Sequence, residues 1–117
     1  MLFRSCANTK YPQSGDVWYL TIYWSTGCST NWAVVQVPVS GSYLVKVTLA
    51  RSPNGSWSNV DRHLVYCAPT RTTCPNDTWQ TFGQYTSSWY TDMVYAPNEK
   101  VAVQIVTTTG TYTSIWH

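Results

Sequence analysis

Apolar and polar residues alternate along several stretches of the chain, and the clearest alternation runs from Val17 to Trp24. Successive side chains of a β-strand point to opposite faces, so this run has one strongly apolar face. The residues on that face are Trp18, Leu20, Ile22 and Trp24. The pattern predicts a strand whose apolar face packs on a core.

A cysteine-bearing loop, Ser25–Asn31, separates this run from a second β-rich run, Trp32–Val39. Small and polar residues in the loop suit a reversal of chain direction. We interpret the two runs as a wide β-hairpin. Trp24 and Trp32 flank its loop, and both are expected to be core residues, where replacement by Ala costs about 3–5 kcal/mol.

Turn-forming residues divide the rest of the chain into further short β-rich runs. These runs are Tyr43–Ala50, His63–Cys67, Thr78–Tyr85, Ser88–Tyr95, Lys100–Thr108 and Thr111–Trp116. Residues 1–16 are predicted to be an irregular N-terminal segment with at most one short strand. About eight strands without a helical period predict an all-β fold, either an antiparallel β-sandwich or a flattened barrel. A chain of 117 residues is the size of one domain, so residues 1–117 are predicted to form a single unit.

The composition argues against two classes of partner. Only 10% of the residues are charged and the formal net charge is +2, which is too little for the basic stripe of a nucleic-acid-binding surface. No apolar run approaches the roughly 20 residues of a membrane-spanning helix. The apolar residues before Arg4 are too few for a signal-peptide core, so any export signal is expected to have been removed.

Four cysteines predict two disulfides, which four residues can form in about three ways. Cys67 and Cys74 bracket a short turn-rich loop, so the spacing favours their pairing and leaves Cys6 with Cys28. A zinc site would use close pairs such as Cys-x-x-Cys, which the sequence lacks, and we expect neither a metal nor a cofactor. Disulfides form in oxidising compartments, so the protein is predicted to be secreted.

The sequence contains few groups for acid–base chemistry. They are Asp16, Asp61, Asp77, Asp92, Glu99 and the internal His63. Asp61 and His63 flank Arg62, but adjacency along a strand does not assemble a base with its orienting acid. No spacing rule connects Asp77 with Asp92 as the two carboxylates of a glycosidase. We therefore expect a protein that is not an enzyme.

Aromatic residues make up 15% of the chain. Most are expected in the core, but Trp57 lies in a polar loop and Tyr90 lies close to an acidic residue, so these two are candidates for stacking against sugar rings. Asn54 and Asn76 begin N-glycosylation acceptor triplets in turn-like segments.

Two stretches resemble a known family. Tyr23–Ala33 reads Tyr-Trp-Ser-Thr-Gly-Cys-Ser-Thr-Asn-Trp-Ala, and Trp89–Tyr95 contains a Trp-x-x-x-Met-Val-Tyr segment. Both are similar to signatures of the YjfA-like family of small secreted bacterial proteins of unknown function. The chain departs from that family in carrying the additional Cys67 and Cys74. The resemblance implies secretion, a β fold and a structural Cys28.

The C-terminal run from Val101 to Trp116 contains no Lys, Arg, Asp, Glu or Pro to discourage strand pairing between molecules. The residues expected to enter grooves on a neighbouring copy are Val101, Val103, Ile105, Tyr112 and Ile115. The alternative is that these strands lie inside their own sheet. We expect an extracellular structural or interaction domain that forms a homo-oligomer or a filament by strand pairing. The alternative function is a carbohydrate- or other ligand-binding module that uses exposed Trp and Tyr.

Overall fold

The computed structural model describes residues 19–25 and 28–117 in full and residues 8–14 through their backbone. Within these residues the chain forms ten β-strands and one short 3₁₀ helix, Trp57–Asn59. The strands are β1 Asn8–Ser14, β2 Tyr19–Ser25, β3 Thr30–Gln36, β4 Leu44–Ser52, β5 Arg62–Cys67, β6 Thr78–Thr81, β7 Ser88–Tyr90, β8 Val94–Tyr95, β9 Lys100–Thr107 and β10 Gly110–Thr113. No helix in this part of the chain is long and apolar enough to cross a lipid bilayer.

The first sheet has the order β1-β2-β3, and both β7 and β8 pair with the other side of β3. Every pair in it is antiparallel. β2 and β3 form the predicted hairpin, with Ile22 opposite Ala33 and Tyr23 opposite Trp32. Trp18, which the alternation assigned to the apolar face, lies outside the described residues.

The second sheet has the order β10-β9-β4-β5-β6. Its pairs are antiparallel except for β5 and β6, which run parallel. The long strands β4 and β9 lie at its centre, and Leu49 pairs with Val103 there. The run predicted at Thr78–Tyr85 is a strand only as far as Thr81, ahead of Gly83.

One hydrophobic core lies between the two sheets. Most of its side chains are aliphatic and alternate along their strands, as the sequence pattern predicted. They include Leu20, Ile22, Ala33, Val35, Val47, Leu49, Leu64, Val101, Val103 and Ile105, together with the aromatic Tyr66 and Phe82. The predicted all-β sandwich, with a disulfide between Cys67 and Cys74, is confirmed.

The two tryptophans expected in the core take different positions. Trp32 is buried at 4% exposure, but its side chain is on the opposite face of β3 from Ala33, stacked on Tyr23 with ring centroids 5.0 Å apart. Trp24 is half-buried and lines a pocket instead of joining the core. The core prediction is wrong for Trp24 because, along β2, the core ends at Ile22.

Two further segments differ from the predicted elements. Residues 8–14, expected to be irregular, form β1 along the whole length of β2, because pairing with a long neighbour outweighs weak local strand propensity. The run at residues 88–95 is split into β7 and β8 around the buried Thr91. Thr91 Oγ1 accepts a hydrogen bond from Ala33 N at 2.9 Å, so a side chain continues the contact with β3 where the strand is interrupted.

Candidate ligand-binding site

A groove of about 270 Å³ lies on the outer face of the second sheet. The outward-facing side chains of β4 and β5 are short here, and Thr48, Ala50 and Val65 form the floor. The walls come from two loops, with Trp57 on the segment between β4 and β5 and Pro75 on the segment between β5 and β6. Short residues on two adjacent strands and bulky residues on the flanking loops therefore create a concave, mostly apolar surface.

The polar part of the groove is a pair formed by His63 and Asp77. The imidazole Nε2 and the Asp77 carboxylate are in hydrogen-bond contact. This hydrogen bond lowers the pKa of Asp77 below its ordinary value, so the carboxylate is ionised at neutral pH. The side chains are 41% and 58% exposed, so both can also bond to a ligand.

The Cys67–Cys74 disulfide holds one wall of the groove in place. Cys67 is the buried last residue of β5, and the bridge brings the Cα of Cys74 to 5.8 Å from its own. Pro75 follows directly, and Asp77 lies two residues further along. The predicted pairing is therefore present, and it ties the segment that carries Asp77 to the second sheet.

The two residues expected to stack against sugar rings lie on different parts of the molecule. Trp57 is 39% exposed in the groove, and its ring lies against that of Trp116 with centroids 5.0 Å apart. The 3₁₀ helix that carries Trp57 is capped by Ser56, whose side chain accepts from Ser58 N. Tyr90 is 70% exposed on the outer face of the first sheet and does not line the groove.

A second pocket, of about 180 Å³, lies where the end of the first sheet meets the turn before β9. Trp24 at the end of β2 and the buried Asn31 at the start of β3 form one part of its lining. Asn98, Glu99 and His117 form another part. We call this cavity the Glu99 pocket. It combines an aromatic ring, two carboxamides, a carboxyl group and an imidazole.

Arg51 lies behind the Glu99 pocket and joins several elements. Its Nε is 2.9 Å from Asp61 Oδ1 and also contacts the Glu99 carboxyl, and its Nη1 donates to Tyr95 O at 2.7 Å. The hydrogen bond from Arg51 lowers the pKa of Asp61. The hydrogen bond with Asp61 and partial burial raise the pKa of Glu99. Neighbouring carboxyl groups thus have pKa values shifted in opposite directions.

The candidate assembly residues fall into two groups. Val101, Val103 and Ile105 are at most 1% exposed and face the core, and β9 is paired on both sides. They therefore occupy the internal position that was the alternative, and they cannot enter grooves on a neighbour while the core is intact. On the C-terminal side Tyr112 packs against the core, whereas Ile115 is 68% exposed.

Asn54 and Asn76, the candidate glycosylation positions, are exposed. Asn54 Oδ1 accepts hydrogen bonds from Ser52 Oγ and Asn59 Nδ2. Glycosylation of either residue stays a prediction. Cys28 is disulfide-bonded, as predicted. Its pairing with Cys6 stays a prediction, because Cys6 lies outside the described residues.

The pairs considered from the sequence, Asp61 with His63 and Asp77 with Asp92, are not the pairs that the structure contains. Asp77 contacts His63, whereas Asp92 accepts a hydrogen bond from Trp79 Nε1. The His63–Asp77 pair was missed because its 14-residue separation matches no catalytic motif. The one signal in the sequence for this pair was the short Cys67–Cys74 loop, because a bridge there returns the chain to the side of β5 and so brings Asp77 near His63.

Comparisons with protein-family models, curated proteins and solved structures found no match for this chain. The resemblance to the YjfA-like family therefore stays a prediction.

Proposed function

We propose that this protein is an extracellular binding domain that holds a sugar ring in the groove on the outer face of the second sheet. The observation that carries the proposal is the combination, in one cavity, of the Trp57 ring, an apolar floor and the His63–Asp77 pair. The Cys67–Cys74 bridge supports an oxidising location.

A sugar ring has one face of C–H groups and a rim of hydroxyl groups, and such a ligand needs two kinds of contact. An aromatic plane suits the C–H face, and a carboxylate with an imidazole suits adjacent hydroxyls as acceptor and donor. The groove, at about 270 Å³, is slightly smaller than the roughly 300–1,000 Å³ of sites for drug-sized ligands. We therefore propose recognition of one or two sugar units.

The test is an NMR titration of the full chain with neutral monosaccharides and their short oligomers, following the indole N–H of Trp57. We expect saturable shifts at Trp57 and at the backbone amides of His63 and Asp77. Trp57→Ala is expected to weaken binding by roughly ten- to hundredfold, on the scale of the about 1–3 kcal/mol that an aromatic side chain contributes when a nucleic-acid base stacks on it.

The matched control is Trp79→Ala, because Trp79 is even more exposed, at 51%, and lies on β6 outside the groove. This variant is expected to bind as the unmodified protein does. Equal affinity of Trp57→Ala and unmodified protein, with both folded, would contradict the groove as the site. Failure of every neutral sugar to shift the Trp57 resonance would contradict the proposed ligand class.

A second candidate function, self-assembly by strand addition, is favoured by one free edge. β10 pairs only with β9 within the described chain, and no charged residue lies between Val101 and Trp116. An unpaired edge without charge can accept a strand from another molecule. Ile115, at 68% exposure, is available for contact beside that edge.

Sedimentation velocity and electron microscopy test this second candidate. Thr111→Lys places a charge on the exposed edge and is expected to abolish any assembly. Thr73→Lys adds the same charge to the exposed disulfide loop and should leave assembly unchanged. A protein that sediments as a monomer at high concentration would exclude this function.

A further inference from the structure

The Glu99 pocket is separate from the groove and differs from it in charge. In the groove His63 and Asp77 are paired with each other, whereas Glu99 lines its cavity together with Trp24. Glu99 retains 20% exposure of its side chain, so it is partly shielded from water but can be reached from the cavity.

Among the side chains that the structure describes, the charged groups around this pocket leave an excess of negative charge. One guanidinium, Arg51, is shared by two carboxyl groups, Asp61 and Glu99. The next residue, Lys100, extends along Gly55 and does not line the pocket. Burial lowers the pKa of His117, so its imidazole is neutral at pH 7 and adds no positive charge.

We infer that the Glu99 pocket binds a primary ammonium group carried on a small organic ligand, with Glu99 as the ion-pair partner and Trp24 as the aromatic contact. An ammonium group supplies the positive charge that the cluster lacks, and it is also attracted to the face of an indole. The carboxamides of Asn31 and Asn98 offer oxygen acceptors for its remaining N–H groups.

The ammonium group could be carried by an amino sugar or by an alkyl chain such as a lysine side chain. Two matched pairs of probes separate these sources. Glucosamine is compared with N-acetylglucosamine, and n-pentylamine with n-pentanol, so that each pair differs in the charged nitrogen. The readout is NMR, following the Trp24 indole N–H and the Glu99 backbone amide.

We expect both ammonium probes, or glucosamine alone, to shift these resonances, and the neutral partner of each pair to leave them unchanged. Binding of both amines means that the ammonium group suffices, and binding of glucosamine alone means that the sugar also contributes. Glu99→Gln keeps the shape of the side chain and should weaken ammonium binding by roughly ten- to hundredfold. Asp92→Asn removes an equal charge outside the pocket and should leave binding unchanged.

Equal binding of charged and neutral probes would overturn the inference, as would an unaltered affinity in folded Glu99→Gln or the absence of shifts with both amines. The unmodified protein provides a test that does not depend on the folding of a variant. Protonation of Glu99 between about pH 7 and about pH 4 should release the ammonium probe. Affinity that stays constant over this range would also overturn it.

This inference does not depend on the sugar groove, because the two sites are followed through different indole groups. Absence of shifts at Trp57 with neutral sugars would contradict the proposed function and leave the inference about the Glu99 pocket unaffected. Loss of ammonium shifts at Trp24 concerns the Glu99 pocket only.

Discussion

The two faces of the second sheet are built from alternate residues of the same strands, but one face packs in the core and the other forms the floor of the groove. On β4, Val47 and Leu49 face inward and pack in the aliphatic core, whereas Thr48 and Ala50 face outward and form the floor of the groove. Large side chains fill the interior, and small ones leave space that a loop aromatic residue can border. The groove therefore exists because the outer face of the sheet carries small side chains and the flanking loops carry bulky ones.

The largest expected loss of stability comes from Trp32, an outward-facing residue that is nevertheless buried. Trp32 lies on an outer face but is only 4% exposed, so Trp32→Ala is expected to lower the free energy of unfolding by about 3–5 kcal/mol. Trp24→Ala, at a half-buried position, is expected to cost clearly less. Urea denaturation of both variants measures the difference. Equal losses would place Trp24 in the core after all.

Two substitutions on β4, one on each face, compare how much the two faces contribute to stability. Leu49→Ala removes a fully buried side chain and should cost about 2–5 kcal/mol, because a cavity remains where the methyl groups were. Thr48→Ala, on the adjacent outward position, should stay within about 1 kcal/mol of the unmodified protein. Thermal and urea unfolding provide the values. A large loss at Thr48 would show that the outer face is also packed.

Removal of the Cys67–Cys74 bridge is expected to have an intermediate effect. For a loop with a sequence separation of 7, the chain-entropy relation gives a loss of about 2.5 kcal/mol on replacement of both cysteines by Ala. The segment carrying Asp77 is then less restrained. We therefore expect the affinity for sugar to fall as well, even in the fraction of the protein that remains folded. Calorimetry of unfolding and the Trp57 titration measure the two effects separately. Unchanged binding would mean that the loop holds its position without the bridge.

The smallest expected effect is the pH dependence of the groove pair. Because its contact with His63 lowers the pKa of Asp77, this carboxylate stabilises the fold above its unfolded pKa of about 3.9. That contribution is lost as the pH falls through the lower folded-state value. Asp77→Asn should therefore flatten the acid side of a melting-temperature profile. Glu99→Gln should act in the opposite sense, since a raised pKa in the folded state opposes stability at higher pH.

The sequence pattern predicted the centre of the fold better than its margins. Regular alternation in Tyr43–Ala50 and Lys100–Thr108 identified β4 and β9, because residues facing a continuous core must be apolar at every second position. Alternation does not distinguish an interior strand from an edge strand, so the sequence left both positions open for β9, and the structure shows the interior one. The division of the run at residues 88–95 escaped notice because it depends on Thr91 bonding to a distant strand.

The two sites depended on contacts that no local pattern encodes. Trp57 borders the groove because its loop folds over the small residues of β4, and Asp77 reaches His63 through a parallel strand connection. Trp24 matched the period of the core but lies beyond its last layer. Periodicity identifies which side of a strand is apolar, but it does not determine where the opposing sheet ends.

The central pairing of β4 with β9 has a consequence for the time course of folding. This pairing joins Leu44 to Thr107 and Ser52 to Lys100, so its partners are separated by about half of the chain. Closing such large loops must precede the gain from pairing, and β-rich topologies of this kind fold in milliseconds to seconds. On a ribosome β4 therefore emerges long before β9, so the centre of the second sheet can close only after Lys100–Thr107 has been synthesised.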